Sequence, residues 1–278
     1  FTQPLNNSMF STQTEPDATV QSLFDLTGRV ALITGACGHL GKALSFALAE
    51  AGATVVVSSR QREKAQQLAD QLTGLAKGKH IGIALDHMDE SSLESGFNEL
   101  IEKTGALDIL VNNGHFPLAK DLTEVTGFEF QHHLGNASAY FLLARCLRDW
   151  AVEQKKRASI IMLGSMYGVV GSYPETYEGV SPASPVAYHA LKGGIIHMTR
   201  HLAVYWAKSG IRVNCLSPGP FPGSQAPPEM VERLCEKSPM GRMGIPSELK
   251  GALVFLASDA SSYMTGQNLI IDGGWTAW

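Results

Sequence analysis

Apolar positions along the chain fall into short continuous runs separated by amphipathic stretches. Val30, Ala31, Leu32 and Ile33 form one such run, which stops at Thr34 and Gly35 as a strand buried on both faces does. Leu40, Leu44, Leu48 and Ala51 then recur at helical spacing, and Gly52 follows where a C-terminal cap belongs. A β-branched run at 54–57 predicts a second strand. The alternation repeats: helix 61–73, strand 80–85, helix 90–103, strand 107–112, a long helix 127–154, strand 159–163, helix 187–208, strand 211–216, helix 247–257 and strand 268–271. Strand after helix in this order predicts an α/β fold: a doubly wound, seven-stranded parallel sheet with helices on both faces.

Two segments fall outside the pattern. Residues 1–22 are polar, low in charge and without periodicity, so a flexible tail is expected, with 23–278 forming a single domain that shows no internal repeat. The stretch 220–247 holds Pro220, Pro222, Pro227, Pro228, Pro239 and Pro246. Proline density predicts a loop, a lid over substrate with a short helix near 228–236.

Composition narrows the class. Of 278 residues, 44% are hydrophobic and 17% charged, which excludes disorder as a description of the whole. A formal charge of -4 without a basic block argues against nucleic acid as the main ligand. No run approaches the roughly 18 apolar residues of a membrane span and none resembles a secretory signal, so no membrane partner and a cytoplasmic location are expected. Cys37, Cys146, Cys215 and Cys235 form no C-x-x-C pair, which predicts reduced thiols and no metal. His197 and His201 lie four apart without the Glu of H-E-x-x-H, which favours a structural or interface role.

Candidate chemistry begins at the first turn, Thr34-Gly35-Ala36-Cys37-Gly38-His39-Leu40-Gly41. Glycines there let the backbone approach a pyrophosphate, and a helix start supplies free N–H groups and a favourable dipole for anions. A dinucleotide site with an acid about 20 residues further on reads the adenosine 2′-hydroxyl of NAD. Here the second strand ends in Ser58-Ser59-Arg60, a cation without an acid, which predicts NADP(H) in preference to NAD(H) with Ser59 and Arg60 on the 2′-phosphate.

Tyr188 and Lys192 lie four apart at the start of a helix, so the ammonium can sit beside the phenol. A phenol with pKa near 10 is a poor base at neutral pH, and an adjacent cation favours phenolate. Ser165 ends the preceding strand, at the carboxyl edge where open α/β sheets bind ligands.

With these residues the chain resembles the short-chain dehydrogenase/reductase family, from about residue 24 to the end. The match takes in the T-G-x-x-x-x-x-G loop, Asp86, Asn112-Asn113-Gly114, Asn136, Ser165, Tyr188-x-x-x-Lys192, Asn214-x-x-x-Pro218-Gly219 and Asp272-Gly273-Gly274. The resemblance implies a Rossmann-type domain, a hydride transfer between nicotinamide and a small-molecule carbonyl or alcohol, and a homotetramer built through helices 127–154 and 187–208. His132, His133, His197 and His201 would lie near those contacts. Tyr188 would be the acid/base, Ser165 would donate to the reacting oxygen, and Lys192 would depress the Tyr188 pKa and hold the ribose. Asn136 would position a water linking Lys192 to solvent. Gly35, Cys37, Gly38, His39, Leu40 and Gly41 would hold the pyrophosphate, Asp86 would reach the adenine, and Asn112 and Gly114 would line the groove that Pro218 and Gly219 close. The chain departs from the family pattern at His39 and at Gly114. It departs again at Gly223, where a Thr often contacts the carboxamide and Ser224 is the nearest substitute.

Ser165 and Tyr188 stand further apart than is common in the family. The extra segment 171–187 holds Tyr173, Glu175, Tyr177 and Glu178. Aromatic faces with carboxylates suit a polyhydroxy ligand, and a surface flap or subunit contact is the alternative. The segment and the ending Asp272-Gly273-Gly274-Trp275 are similar to gluconate-5-dehydrogenase-like and other sugar-modifying members. A 3-oxoacyl-thioester reductase is the second enzymatic expectation, and an NADP(H)-binding regulatory protein the non-catalytic one.

Overall fold

In a computed structural model that describes residues 18–74, 79–120 and 122–278, seven strands make one parallel sheet. They are β1 (Val30–Ile33), β2 (Thr54–Ser59), β3 (Ile81–Ala84), β4 (Ile109–Asn112), β5 (Ala158–Leu163), β6 (Ile211–Pro218) and β7 (Asn268–Ile271). The order is β3-β2-β1-β4-β5-β6-β7, with Leu32 level with Val56 on one side and Leu110 on the other. The chain winds outward from β1 in one direction, then returns to β4 and winds outward in the other. Between β1 and β4 the connections leave to opposite faces, and a crevice opens at the carboxyl ends of the strands.

Nine α-helices appear among the described residues: α1 (Val20–Phe24), α2 (His39–Glu50), α3 (Arg62–Leu72), α4 (Glu90–Thr104), α5 (Gly127–Glu153), α6 (Pro174–Tyr177), α7 (Val186–Trp206), α8 (Pro228–Lys237) and α9 (Lys250–Ala257). Their ends follow local chemistry. Asp89 caps α4 by accepting from the N–H groups of Ser91 and Ser92, and Gly105, at φ +67°, ends it. Thr126 and Glu129 form a reciprocal capping box at the start of α5.

Two cores result from the strand pleat. Leu32, Val56, Leu110 and Ile160 pack with Phe97, Tyr140 and Ile195 on one face. Ile33, Val57, Val111 and Ile161 pack with Leu44, Leu48, Leu68 and Leu253 on the other. Adjacent residues of one strand thus serve opposite cores, which is why β1 reads as an unbroken apolar run rather than an alternating one. At Gly82 the sheet and α3 meet so closely that a Cβ would collide with the Gln66 backbone.

Several elements differ from the sequence pattern. Part of the expected tail is the helical turn α1, capped by Thr19 and seated with Phe24 against Phe255 at 6.4 Å between ring centroids. Residues 1–17 of that tail lie outside the described residues. The short α6 lies inside the 171–187 segment and has Pro174 as its first residue. β6 extends to Pro218, which the strand accommodates because it is the last residue. Among the described residues no helix is long and apolar enough to cross a membrane.

Candidate active site

The crevice holds a cleft of about 930 Å³. Its floor is the junction of the loops that leave β1 and β4. Thr34 Oγ1 accepts from the N–H groups of Asn113 and Gly114 at 2.9 and 2.8 Å, and Asn113 Nδ2 donates to the carbonyls of Thr34 and Gly35. Gly35 adopts φ +60°, and a Cβ on it would stand 2.8 Å from Gly114 Cα. A Cβ on Gly41 would collide with the Gly35 carbonyl. No side chain caps α2 at Gly38, so the first-turn N–H groups of His39, Leu40 and Gly41 face the cleft that these residues line. A cradle that excludes side chains and presents unpaired donors at a helix N-terminus fits a pyrophosphate.

At one end of the cleft are Ser59, Arg60 and Asp86. Arg60 is exposed and forms no ion pair among the described residues. One oxygen of Asp86 accepts from Met88 N–H at 3.0 Å. At the other end β5 delivers Ser165, which caps a short 3-10 turn by accepting from Tyr167 N–H at 3.1 Å. Tyr188, in the first turn of α7, and Lys192, one turn later, complete this end, with Pro218, Gly219 and Phe221 opposite.

Burial dominates the electrostatics of that pair. Lys192 is buried, donates to the Leu163 carbonyl at 2.7 Å, and lies 5.6 and 5.8 Å from the ring centroids of Tyr188 and Tyr140. Burial pushes it down to about 8. The Tyr188 phenol is held above its ordinary value by burial, with the neighbouring Ser165 hydroxyl pulling the other way. Desolvation is thus the dominant influence on the phenol in this structure, while the Lys192 ammonium is engaged by the Leu163 carbonyl.

Asn112 and Asn136 stand behind the cleft rather than in its lining. Asn112 is buried and donates to the Tyr140 carbonyl at 3.0 Å, tying β4 to α5 instead of lining a groove. Asn136 accepts from Phe116 N–H (2.7 Å) and from His87 Nε2 (3.0 Å), and donates to the carbonyls of Phe116 and His133. Its amide is committed to the backbone of the loop after β4. Gly223 and Ser224 are exposed and outside the lining, to which Phe221 contributes from the same loop.

Histidines at this end escaped the sequence reading. His87 and His115 line the cleft, and His133, expected near a subunit contact, is buried beside Tyr188. The helical position of His133 gave no signal, because a long amphipathic helix accounts for any one histidine. His115 directly follows the Asn112-Asn113-Gly114 segment and was visible as a large polar residue in a tight turn.

The 171–187 segment borders the site, but not as a carboxylate wall. Glu175 pairs with Lys237 at 2.8 Å, and Arg233 donates to the backbone carbonyls of Glu175 and Glu178 at 2.9 and 2.7 Å. Both acids are exposed and α6 is strapped to α8. The hydroxyls of Tyr167 and Tyr177 are 2.6 Å apart, and Tyr173 packs on Trp275.

Residues 35–276 match the family model described as enoyl-(acyl carrier protein) reductase. A sorbose reductase of Candida albicans is 30% identical over 99% of this chain and 97% of its own length. The 3-oxoacyl-[acyl-carrier-protein] reductase of Thermotoga maritima is 32% identical over 90% and 98%. Among solved structures, a gluconate 5-dehydrogenase from Burkholderia cenocepacia in complex with NADP and tartrate superposes with TM-score 0.83 at 29% identity, covering 94% of this chain and 100% of that one. A short-chain dehydrogenase from Leptospira borgpetersenii with bound NAD+ superposes with TM-score 0.79 at 31% identity, covering 91% and 94%.

Proposed function

Given that the chain belongs to the short-chain dehydrogenase/reductase family and is a nicotinamide-dependent oxidoreductase of secondary alcohols and ketones, we propose that its substrate is a sugar, sugar acid or polyol and its cofactor NADP(H). The cofactor preference rests on Arg60, a cation without an ion-pair partner among the described residues, beside Ser59 and with no acid at the end of β2. A 2′-phosphate satisfies that cation, and an acid would repel it. The substrate class rests on the sorbose and gluconate relatives and on the paired hydroxyls of Tyr167 and Tyr177, next to the turn that holds Ser165. Ser59, Arg60 and Asp86 would hold the adenosine end, the α2 N-terminus the pyrophosphate, and Lys192 the nicotinamide ribose.

When bound, the nicotinamide supplies the site that gives or takes the hydride. The protein's part is the proton and the developing charge. In reduction Tyr188 donates its hydroxyl proton to the carbonyl oxygen, and in oxidation its phenolate takes the proton of the alcohol. Ser165 donates a hydrogen bond to that same oxygen, which bears negative charge in the transition state. Lys192 stabilises the phenolate form while it carries its own proton.

The exposed apolar residues Phe128 on α5 and Val204 and Tyr205 on α7 support assembly through these helices, and the homotetramer is the state that family resemblance implies. His197 and His201 are exposed on the same helix α7.

The test is consumption of NADPH and NADH across ketoses, sugar acids and 3-oxoacyl thioesters, with Tyr188→Phe as control. Polyhydroxy ketones are the expected substrates, and Tyr188→Phe loses about 10²- to 10⁴-fold in kcat while still binding cofactor. Turnover confined to acyl thioesters, the substrates in the Thermotoga relative's name, would overturn the substrate class.

A further inference from the structure

His115, on the loop after β4, and His133, on α5, meet edge to face at 5.1 Å between ring centroids, and His115 and Tyr188 meet in the same near-perpendicular way at 5.5 Å. His133 is 1% exposed, and neither of its nitrogens makes a well-directed hydrogen bond, the Phe116 backbone acting on it only weakly. Nδ1 of His115 is likewise enclosed and unpartnered, as is the Tyr140 hydroxyl. Buried nitrogens that stay unpaired are costly, about 1–3 kcal/mol each, so a cluster of them beside one catalytic tyrosine calls for water or a proton in transit. We propose that His115 and His133 form an imidazole relay that carries the proton between the Tyr188–Lys192 pair and solvent.

The surroundings suit such a relay. Burial, and after it the charge of Lys192, hold His115 at about 3 and push His133 down. Both rings are thus neutral at pH 7. A neutral imidazole takes a proton on one nitrogen and releases the other from the opposite nitrogen, so the ring stays neutral and is left in its other tautomer, which a ring flip resets before the next turnover. During alcohol oxidation the proton that Tyr188 takes from the substrate leaves by this route, and during reduction it is replenished the same way. The other titratable groups acting on the pair are His132 on α5, Lys192 on α7 and His87 after β3. Asn136 accepts from the Phe116 N–H through Oδ1, so His87 Nε2 must be the donor to that oxygen. His87 is thereby held in one tautomer with its remaining nitrogen against Gly114, and it serves as a fixed wall of the relay, not a member.

This inference rests on the acid/base role of Tyr188, and the experiment separates the two. His133→Phe keeps an aromatic ring in the α5 slot and removes both nitrogens; His115→Phe does the same on the loop. Both are assayed beside Tyr188→Phe on the best substrate, with NADPH affinity measured by fluorescence. The expected result for each histidine variant is kcat down about tenfold with cofactor affinity retained, a solvent deuterium isotope effect larger than that of the unaltered enzyme, and partial rescue by added imidazole. Unchanged kcat and isotope effect in both variants, with Tyr188→Phe inactive, would overturn the relay and leave the role of Tyr188 standing. Turnover by Tyr188→Phe would overturn both. Should His133→Phe not fold, the half-buried His115→Phe decides by the same readouts.

Discussion

On the proposed NADP(H) preference, replacing Arg60 by alanine removes the cation that, beside Ser59 at the end of β2, would hold a phosphorylated ribose. A hydrogen bond to a charged group contributes about 1.5–3 kcal/mol. Arg60 is exposed, so solvent screening puts its contribution at the lower end, about 1.5 kcal/mol, or slightly more than tenfold in Kd. Fluorescence titration of Arg60→Ala should show NADPH affinity down roughly tenfold and NADH affinity within about twofold of the unaltered protein. Because the charge sits in solvent, the gap between the two cofactors should narrow as ionic strength is raised. Two results refute the reasoning: NADH bound at least as tightly as NADPH by the unaltered protein, or an Arg60→Ala variant that weakens both cofactors equally.

Gly82→Ala should lower stability by about 1–3 kcal/mol, since the added methyl meets the Gln66 backbone, which cannot swing aside as a side chain would; an unchanged urea midpoint would contradict the close approach. Glu99 accepts from Arg62 and Lys103, and this holds its carboxyl at about 2 against an ordinary 4.5. The folded pKa lies below the unfolded one, so the stabilisation is complete above about pH 4.5 and disappears as pH falls toward about 2. Glu99→Gln should accordingly cost about 1 kcal/mol at pH 7 and almost nothing near pH 2, as read by denaturant titration at both.

Strands buried on both faces write themselves as runs such as Val30–Ile33, and all seven strands were legible as short apolar runs, the half-buried edge strand β7 included, with ends moved by two residues at most. The cradle and the Tyr188–Lys192 pair were legible because backbone approach demands glycine and one helical turn spans four residues. What the residues could not disclose is which neighbours compete for a side chain. Asn136 is spent on Phe116, Asn112 on Tyr140 and Glu175 on Lys237, each a contact between elements far apart along the chain. The desolvation that keeps the Tyr188 phenol protonated is likewise a property of the packed assembly and of no local motif.

The strap between α6 and α8 has a consequence for segment exchange. Because Arg233 serves two backbone carbonyls and Lys237 a carboxylate on the facing segment, exchanging either segment alone for a homologous one removes one side of these exposed contacts and loosens the strap. The two segments are thereby coupled in their placement beside Ser165 and Tyr188, and a chimera that transplants both should retain the strap that a single graft loosens.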